Sequence, residues 1–131
     1  MGEQILKDLV KKAGREGEFF IDSAAVSREE IGNPIYMPAR RELLKHGVEP
    51  GDHRARQVTL TDYQTVDRIY YMDSSNARYL ERLLPKDSEK IRPLLSREVA
   101  DPWYTGDFAA TWADLVEGCR RIMEAFPGEQ R

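Results

Sequence analysis

One carboxylate stands next to a proline and two large aromatic residues in the stretch "ADPWYTGDF", residues 100–108. Asp-Pro commonly opens a turn, and turn statistics alone favour a structural role for Asp101. Trp103 and Tyr104 suggest a second interpretation, because two aromatic side chains can form one wall of a pocket for a flat ring. In apolar surroundings a carboxyl group favours its protonated form and can act as a general acid. From the residues alone, both interpretations of Asp101 stay open.

The other candidates for chemistry are two histidines and one cysteine. His53, in the loop "GDHRARQ", can serve as an acid, a base or a ligand, although a lone loop histidine is more often a hydrogen-bonding strut. His46, next to Gly47 at a predicted helix end, suits a favourable interaction with the helix dipole and is assigned no function. Cys119 falls within the apolar stripe of the last predicted helix, where a thiol is expected to be buried and inert.

Composition excludes several classes of protein. The 131 residues suit one domain, 1–131, and the net charge of −3 comes from 20 basic and 23 acidic residues that are well mixed. We therefore expect neither a nucleic-acid partner nor a lipid surface. No metal-ligand spacing and no glycine-rich phosphate loop occurs, so no metal or cofactor is predicted. The single cysteine, the lack of a membrane-spanning run and the lack of a secretory signal favour a cytoplasmic location.

The first half of the chain predicts helix, strand and helix. An amphipathic helix covers residues 2–13, and nothing before Gly2 can cap it. The apolar run "GEFFIDSAA", residues 17–25, predicts a buried strand. After a loop, Pro38 suits the first turn of a helix that runs to Gly47.

The second half predicts two further strands, each followed by a helix. "VDRIYYMD", residues 66–73, is a buried strand, and the helix of residues 74–85 after it would be capped by Ser74 or Ser75. "KIRPLL", residues 90–95, is an edge strand because it contains a proline. The last helix carries a continuous apolar stripe at three- and four-residue spacing: Phe108, Trp112, Leu115, Val116, Cys119, Ile122, Met123 and Phe126.

This alternation of helices and strands predicts an α/β sandwich with a parallel sheet. In such folds ligands bind beyond the carboxyl ends of the strands. Those ends carry Ser23, Asp73 and the loop that leads to Asp101. The sequence therefore places its candidate residues at one edge of the sheet.

Three segments together resemble the low-molecular-weight protein tyrosine phosphatases. They read "IDSAAVS…EIGNPIYMPARRELLKHGV", "HRARQVT…DYQTVDRIYYMDSSN" and "VADPWYTGDF", and the likeness runs in colinear order from residue 1 to about residue 126. The resemblance implies a cysteine-dependent phosphomonoesterase, a hydrolase, with a small three-layer α/β sandwich. Its substrate would be a phosphotyrosine protein or a small aryl phosphate.

The resemblance also implies roles for single residues. Asp101 would match the general acid that protonates the leaving phenolate, and Trp103 and Tyr104 would match the aromatic wall along the phosphotyrosine ring. Ser23 and His53 would match residues that hydrogen-bond to and brace the phosphate-binding loop. Glu29 falls where many members carry an aromatic on the opposite wall, so this side of the pocket departs from the family pattern.

One family feature is not found in these 131 residues. Family members begin with a strand that leads into a loop of Cys, five residues and Arg, followed by Ser-Pro and the first helix, and the thiolate of that loop attacks phosphorus. "MGEQILKDLV" resembles the body of that helix. We therefore expect an N-terminally short member that lacks the first central strand and is inactive as given. The unpaired strand edges would re-pair, form a dimer or swapped assembly, or leave the fold marginally stable.

Two alternatives remain from the resemblance. A non-catalytic relative could bind a phosphoprotein without turnover, although such a module has little need of a general acid. A protein arginine phosphatase shares the fold, and only the paired aromatics, Trp103 and Tyr104, favour an aryl substrate over it.

Overall fold

A computed structural model describes residues 1–26 and 31–127 of the chain. Within those ranges, three helices precede the first of two short strands, and a short 3₁₀ turn at Glu16–Glu18 follows the first helix. The elements are, in chain order, α1 (Gly2–Lys12), α2 (Met37–Lys45), α3 (Leu60–Thr65), β1 (Ile69–Tyr71), α4 (Ser74–Leu83), β2 (Ile91–Pro93), α5 (Pro102–Thr105) and α6 (Phe108–Ala125).

Strands β1 and β2 pair in parallel, with Tyr70 opposite Arg92. The amide of Ile69 donates to the Lys90 carbonyl at 2.8 Å, and the carbonyl of Tyr71 accepts from the Leu94 amide at 2.9 Å. β2 ends at Pro93, and the sequence predicts an early end for a strand that contains a proline, because proline itself has no amide to donate. The prediction of an α/β fold with a small parallel sheet is confirmed.

The strand predicted over residues 17–25 is wrong as a paired strand. The chain is extended after the 3₁₀ turn, but its described β contact is a single parallel bridge between Ala25 and Gln57. The side chains still alternate: Phe19 and Ile21 are half-buried against the core, whereas Phe20 is 88% exposed. Alternation gives this segment its two faces, but a ladder also needs a neighbouring strand beside it.

The main core lies where α1, α2 and α6 meet the segment that follows β2. Helix α1 packs against α6, and α2 packs against α6 from another side. Within the helices the apolar positions recur at helical spacing, which places them on the inner faces, and each fully buried aliphatic side chain contributes roughly 1.5–3 kcal/mol. The buried members of this cluster are Ile5, Leu6, Val10, Leu43, Val48, Leu94, Leu95, Val99, Leu115, Cys119 and Ile122.

Among the described residues, side chains cap α3, α4 and α6, whereas α1 and α2 have no side-chain cap. Asp73 Oδ1 accepts from the Asn76 amide at 2.8 Å, so Asp73 caps α4, and the predicted caps Ser74 and Ser75 are wrong by one or two residues. Asp107 caps α6 in the same way. Helix α1 has no side-chain cap, which leaves the amides of its first turn without a side-chain acceptor.

Two short helices were not predicted from the sequence. Helix α3 begins with a capping box in which Thr59 and Asp62 each accept from the other's backbone amide. Helix α5 is a single turn, and the Asp101 carbonyl accepts from the amides of Tyr104 and Thr105 at 3.1 and 3.3 Å. Helices of one turn carry little periodicity, so sequence pattern does not distinguish them from loops. Among the described helices, none has the length and apolar character to cross a membrane.

Candidate functional site

The N-terminus of α1 lies where the candidate residues converge. A Cβ placed on Gly2 would lie 3.6 Å from Met72 Cε, so the helix begins beside the residue that follows β1. On its other side, Glu3 Oε1 accepts a hydrogen bond of 2.7 Å from Ser23 Oγ. The start of a helix carries partial positive charge and unpaired amides, and here no side chain caps them. This end of α1 therefore suits an anionic group.

Ser23 and His53 meet at the carboxylate of Glu3. His53 Nδ1 lies 3.2 Å from the same Glu3 Oε1 that accepts from Ser23. The Glu3 side chain is only 4% exposed, and its second oxygen pairs with Lys7 Nζ at 2.9 Å. The structure thus brings together the two residues that the resemblance assigns to phosphate-loop support. Sequence reasoning missed Glu3, although an acidic residue in the first turn of an uncapped helix is a usable signal.

Asp22 and Arg56 continue the polar contacts of Ser23 and His53 on the side away from α1. Asp22 Oδ1 lies 3.5 Å from His53 Nδ1 and accepts from the Ser23 amide at 2.8 Å. Arg56 pairs with Asp22 Oδ2 and with Asp62 Oδ2, both at 2.8 Å. Burial opposes ionisation of Asp22, but the hydrogen bonds from Arg56 and Ser23 and the nearby charges outweigh it and lower the pKa of its carboxyl.

Glu3, Asp22 and His53 are also the described residues that could hold a cation. One ligand atom from each lies within 4.8 Å of the others, an arrangement that sequence spacing did not indicate. Arg56 already neutralises Asp22, however, and Ser23 and His53 already occupy the inner oxygen of Glu3. Side chains of the protein therefore already contact the oxygens that a cation at this cluster would need.

The loop that carries Asp101 is tied to the same edge of the sheet. The Val99 amide donates to the Met72 carbonyl at 2.8 Å, and Thr111 Oγ1 donates to the Ala100 carbonyl at 3.2 Å. Asp101 follows at once, with its carbonyl starting α5 and its side chain exposed. The backbone of Asp101 therefore forms the turn that begins α5. A carboxyl group in apolar surroundings would be buried, and the exposed Asp101 side chain differs from that expectation.

The predicted aromatic wall is described in part. Tyr104 is 85% exposed at the end of α5, while the side chain of Trp103 and all of Glu29 lie outside what the structure describes. A further aromatic contact was not predicted: the rings of Tyr36 and Phe108 lie 6.1 Å apart. This contact holds the segment before α2 against the start of α6, next to the Asp101 loop.

Cys119 lies next to the start of α1, with its Sγ 3.6 Å from the Gly2 carbonyl oxygen, and His46 lies at the end of α2. Cys119 is 2% exposed, and burial raises the pKa of its thiol to about 12. The predicted burial is confirmed, and the thiol is held as a neutral, unreactive group. His46 ends α2, pairs with Glu42 at 2.9 Å and stacks on Trp112 with ring centroids 3.8 Å apart, which is a structural role.

Comparison with known sequences agrees with this geometry. The sequence model of the low molecular weight phosphotyrosine protein phosphatases matches residues 1–131. The chain is 31% identical to the low molecular weight protein-tyrosine-phosphatase YfkJ of Bacillus subtilis, over all of this chain and 89% of that protein. It is 36% identical to the low molecular weight phosphotyrosine protein phosphatase of Gallus gallus, over 95% of this chain and 85% of that one.

Solved structures show the same fold. The crystal structure of YfkJ from Bacillus subtilis superposes with a TM-score of 0.89 at 30% identity, covering 95% of this chain and 83% of that one. A Drosophila arginine phosphatase superposes with a TM-score of 0.84 at 27% identity, covering 98% and 90%. The chain belongs to the low molecular weight phosphotyrosine protein phosphatase family.

Proposed function

We propose that this chain supplies the general acid, the pocket wall and the phosphate-loop support of a protein tyrosine phosphatase. The observation that carries the proposal is the convergence of Ser23 and His53 on Glu3 at the uncapped start of α1. The Asp101 loop joins the same edge of the sheet through Val99 and Met72. The family match supports a phosphotyrosine protein or a small aryl phosphate as substrate, and the single cysteine favours a cytoplasmic location.

The reaction of the family explains why these residues are needed. A cysteine thiolate attacks phosphorus, the bond from phosphorus to the phenol oxygen breaks, and Asp101 gives its proton to the leaving phenolate. Water then attacks the phosphocysteine, Asp101 takes up a proton from that water, and the thiolate leaves as phosphate is released. Tyr104, together with Trp103, would flank the ring, and Ser23 and His53 would hold the loop that carries the thiolate.

We infer that the 131-residue polypeptide alone does not turn over phosphate esters. Its one cysteine is Cys119, which is 2% exposed on α6. Burial raises the pKa of that thiol to about 12, so its thiolate is scarce at neutral pH. The loop of Cys, five residues and Arg that the family uses does not occur in this sequence.

The first experiment measures hydrolysis of p-nitrophenyl phosphate by pure protein of confirmed mass. We expect no turnover above background, and activity of the pure chain would contradict the inference, most directly if Cys119→Ala abolished it. A second chain, extended at its N-terminus by a strand and a Cys, five residues, Arg, Ser-Pro segment, should gain activity. In that chain Asp101→Asn should lower kcat by about 10²-fold or more. Asp67→Asn, at an exposed position before β1, is the matched control.

A protein arginine phosphatase is the second candidate, because the Drosophila arginine phosphatase shares 27% identity and the fold. The extended chain can be assayed with a phosphotyrosine peptide and a phosphoarginine peptide of the same sequence. A higher kcat/KM for phosphotyrosine supports the first proposal, and the reverse order supports the second. Tight binding of either peptide without turnover would favour a non-catalytic binding module.

A further inference from the structure

We propose that Arg56 is a positioning residue of this site, because its side chain orients Asp22 and thereby holds Ser23 and His53. The proposal rests on the proposed function, since Ser23 and His53 are the residues assigned there to phosphate-loop support. Arg56 itself lies one contact further out, between the site and the start of α3.

The guanidinium of Arg56 joins two carboxylates that belong to different elements. One nitrogen pairs with Asp62, which caps α3, and another pairs with Asp22, each at 2.8 Å. Because a guanidinium presents several donors in a fixed plane, it can fix both partners at once, whereas the single ammonium of a lysine cannot reproduce the fork. Arg56 therefore sets the direction of Asp22 relative to the rigid start of a helix.

Asp22 then acts on both support residues through its other oxygen. Oδ1 accepts from the Ser23 amide at 2.8 Å and lies 3.5 Å from His53 Nδ1. Each oxygen of Asp22 therefore has its own partners: Oδ2 accepts from Arg56, and Oδ1 accepts from the Ser23 amide on the side of the site. If Asp22 turned toward solvent, the Ser23 amide and one side of the imidazole would lose their partner.

The charges around His53 make this orientation depend on Arg56. Glu3 faces the imidazole from α1 at 3.2 Å, Asp22 faces it from the extended segment, and Asp62 lies behind Arg56 on α3. Without the guanidinium, the carboxylates of Glu3 and Asp22 would both face His53 Nδ1, and only the imidazole would lie between them. The Asp22 side chain is 34% exposed, so without Arg56 it could rotate toward water.

The backbone of Arg56 has a separate role, which substitution of its side chain leaves in place. The Arg56 carbonyl accepts from the Ala25 amide at 2.6 Å, and the Val58 amide donates to the Ala25 carbonyl at 2.8 Å. These bonds hold the two segments together whichever side chain occupies position 56. Loss of the guanidinium should therefore change the orientation of Asp22 rather than unfold this region.

The test uses nuclear magnetic resonance on the 131-residue chain, so it needs no turnover. Arg56→Ala and Arg56→Lys should both change the side-chain ¹⁵N shifts of His53 and move the Ser23 amide proton upfield. Asp22→Asn should produce the same changes. Asp62→Asn is the matched control, because it removes the other partner of Arg56 and should alter the α3 amides while changing Ser23 and His53 less. His46, on α2, is the internal reference and should not change.

Several outcomes would overturn the proposal. Unchanged Ser23 and His53 signals in Arg56→Ala would show that Asp22 holds its orientation without the guanidinium. Equal effects of Asp22→Asn and Asp62→Asn would show a general loosening instead of positioning, as would a shift of His46. If Arg56→Ala loses its helical circular dichroism, the comparison of Asp22→Asn with Asp62→Asn still distinguishes positioning from general loosening, because both substitutions keep the shape of the side chain. An inactive extended chain with the expected shifts would contradict the proposed function and leave this positioning role intact.

Discussion

Glu3 determines the local geometry of the site at the scale of single residues. A buried carboxylate is tolerated only when partners satisfy its oxygens, and the Glu3 side chain is 4% exposed. Ser23 and His53 supply two of these partners from segments that are distant in the sequence, and Lys7 supplies the third. Because the buried carboxyl group of Glu3 needs polar partners, Ser23 and His53 pack against the start of α1.

The thiol of Cys119 should be unreactive in the folded chain. Burial raises its pKa to about 12, and its sulfur lies against the Gly2 carbonyl at 3.6 Å. We expect the aromatic disulfide reagent DTNB, at pH 8, to react at least about a thousandfold more slowly with the native chain than with the chain in guanidinium chloride. Comparable rates in the two conditions would contradict both the burial and the inference that Cys119 is no nucleophile.

The ion pairs of Arg56 should make stability depend on pH. Hydrogen bonding to Arg56 lowers the pKa of Asp62, and Asp22 is lowered as well, so both folded values lie below the ordinary value of about 3.9. Their contribution is present above that value and is lost as pH falls through the lowered pKa values. These partly exposed pairs are worth roughly 0.5–1 kcal/mol each.

Urea unfolding at pH 7 and pH 3 measures this effect. The fall in unfolding free energy on acidification should be smaller in the Asp22→Asn, Asp62→Asn double variant than in the original chain. Asp67→Asn, which alters an exposed residue outside the network, should keep the original dependence. An identical fall in the double variant and the original chain would mean that other carboxylates carry the acid sensitivity.

At the scale of elements, the close approach of α6 to the segment after β2 depends on Gly118. A Cβ at this position would overlap the side chain of Leu94, which is 6% exposed in the core. Gly118→Ala should therefore lower the free energy of unfolding by about 1–3 kcal/mol, although alanine has the better helix propensity. Thermal melts followed by circular dichroism provide the measurement.

Gly17→Ala is the matched control for that substitution. Nothing lies within 4 Å of a Cβ at Gly17, and its backbone is not in the left-handed region. We expect its melting temperature to stay near that of the original chain. A Gly118→Ala variant as stable as Gly17→Ala would show that Leu94 can repack.

The whole molecule presents strand edges that are described without a partner strand. Ile69 and Tyr71 direct their backbone groups toward β2, so those of Tyr70, one residue out of phase, point to the opposite edge. The described β contact of the extended segment around Phe20 is a single bridge at Ala25, and Phe20 itself is 88% exposed. Open edges with exposed apolar side chains favour association between chains.

We therefore predict that the chain associates in a concentration-dependent manner. Light scattering coupled to size exclusion should give a mass that rises with concentration, and Phe20→Lys should shift the distribution toward the monomer. Because Phe20 contributes little to the core, the melting temperature of the variant at low concentration should not fall. A monomer at every concentration in both chains would contradict the role of these edges.

Sequence pattern predicted the long elements better than the short ones. The apolar stripe of α6 and the amphipathic face of α1 were correct because many residues repeat one period. The strand over residues 17–25 was wrong because an apolar run predicts burial, not the presence of a pairing partner. The cap of α4 was misplaced because Asp73 and Ser74 are both good capping residues and only the backbone path decides between them.

The family, the parallel α/β fold and the burial of Cys119 were all predictable from the amino-acid sequence. Those properties follow from motifs in colinear order and from periodicity, both of which are local to the chain. Only the tertiary structure showed that Ser23 and His53 share the carboxylate of Glu3, and that Arg56 links Asp22 to Asp62. Such contacts join segments far apart in sequence, and they form because buried and partly buried charges need partners that folding alone brings within reach.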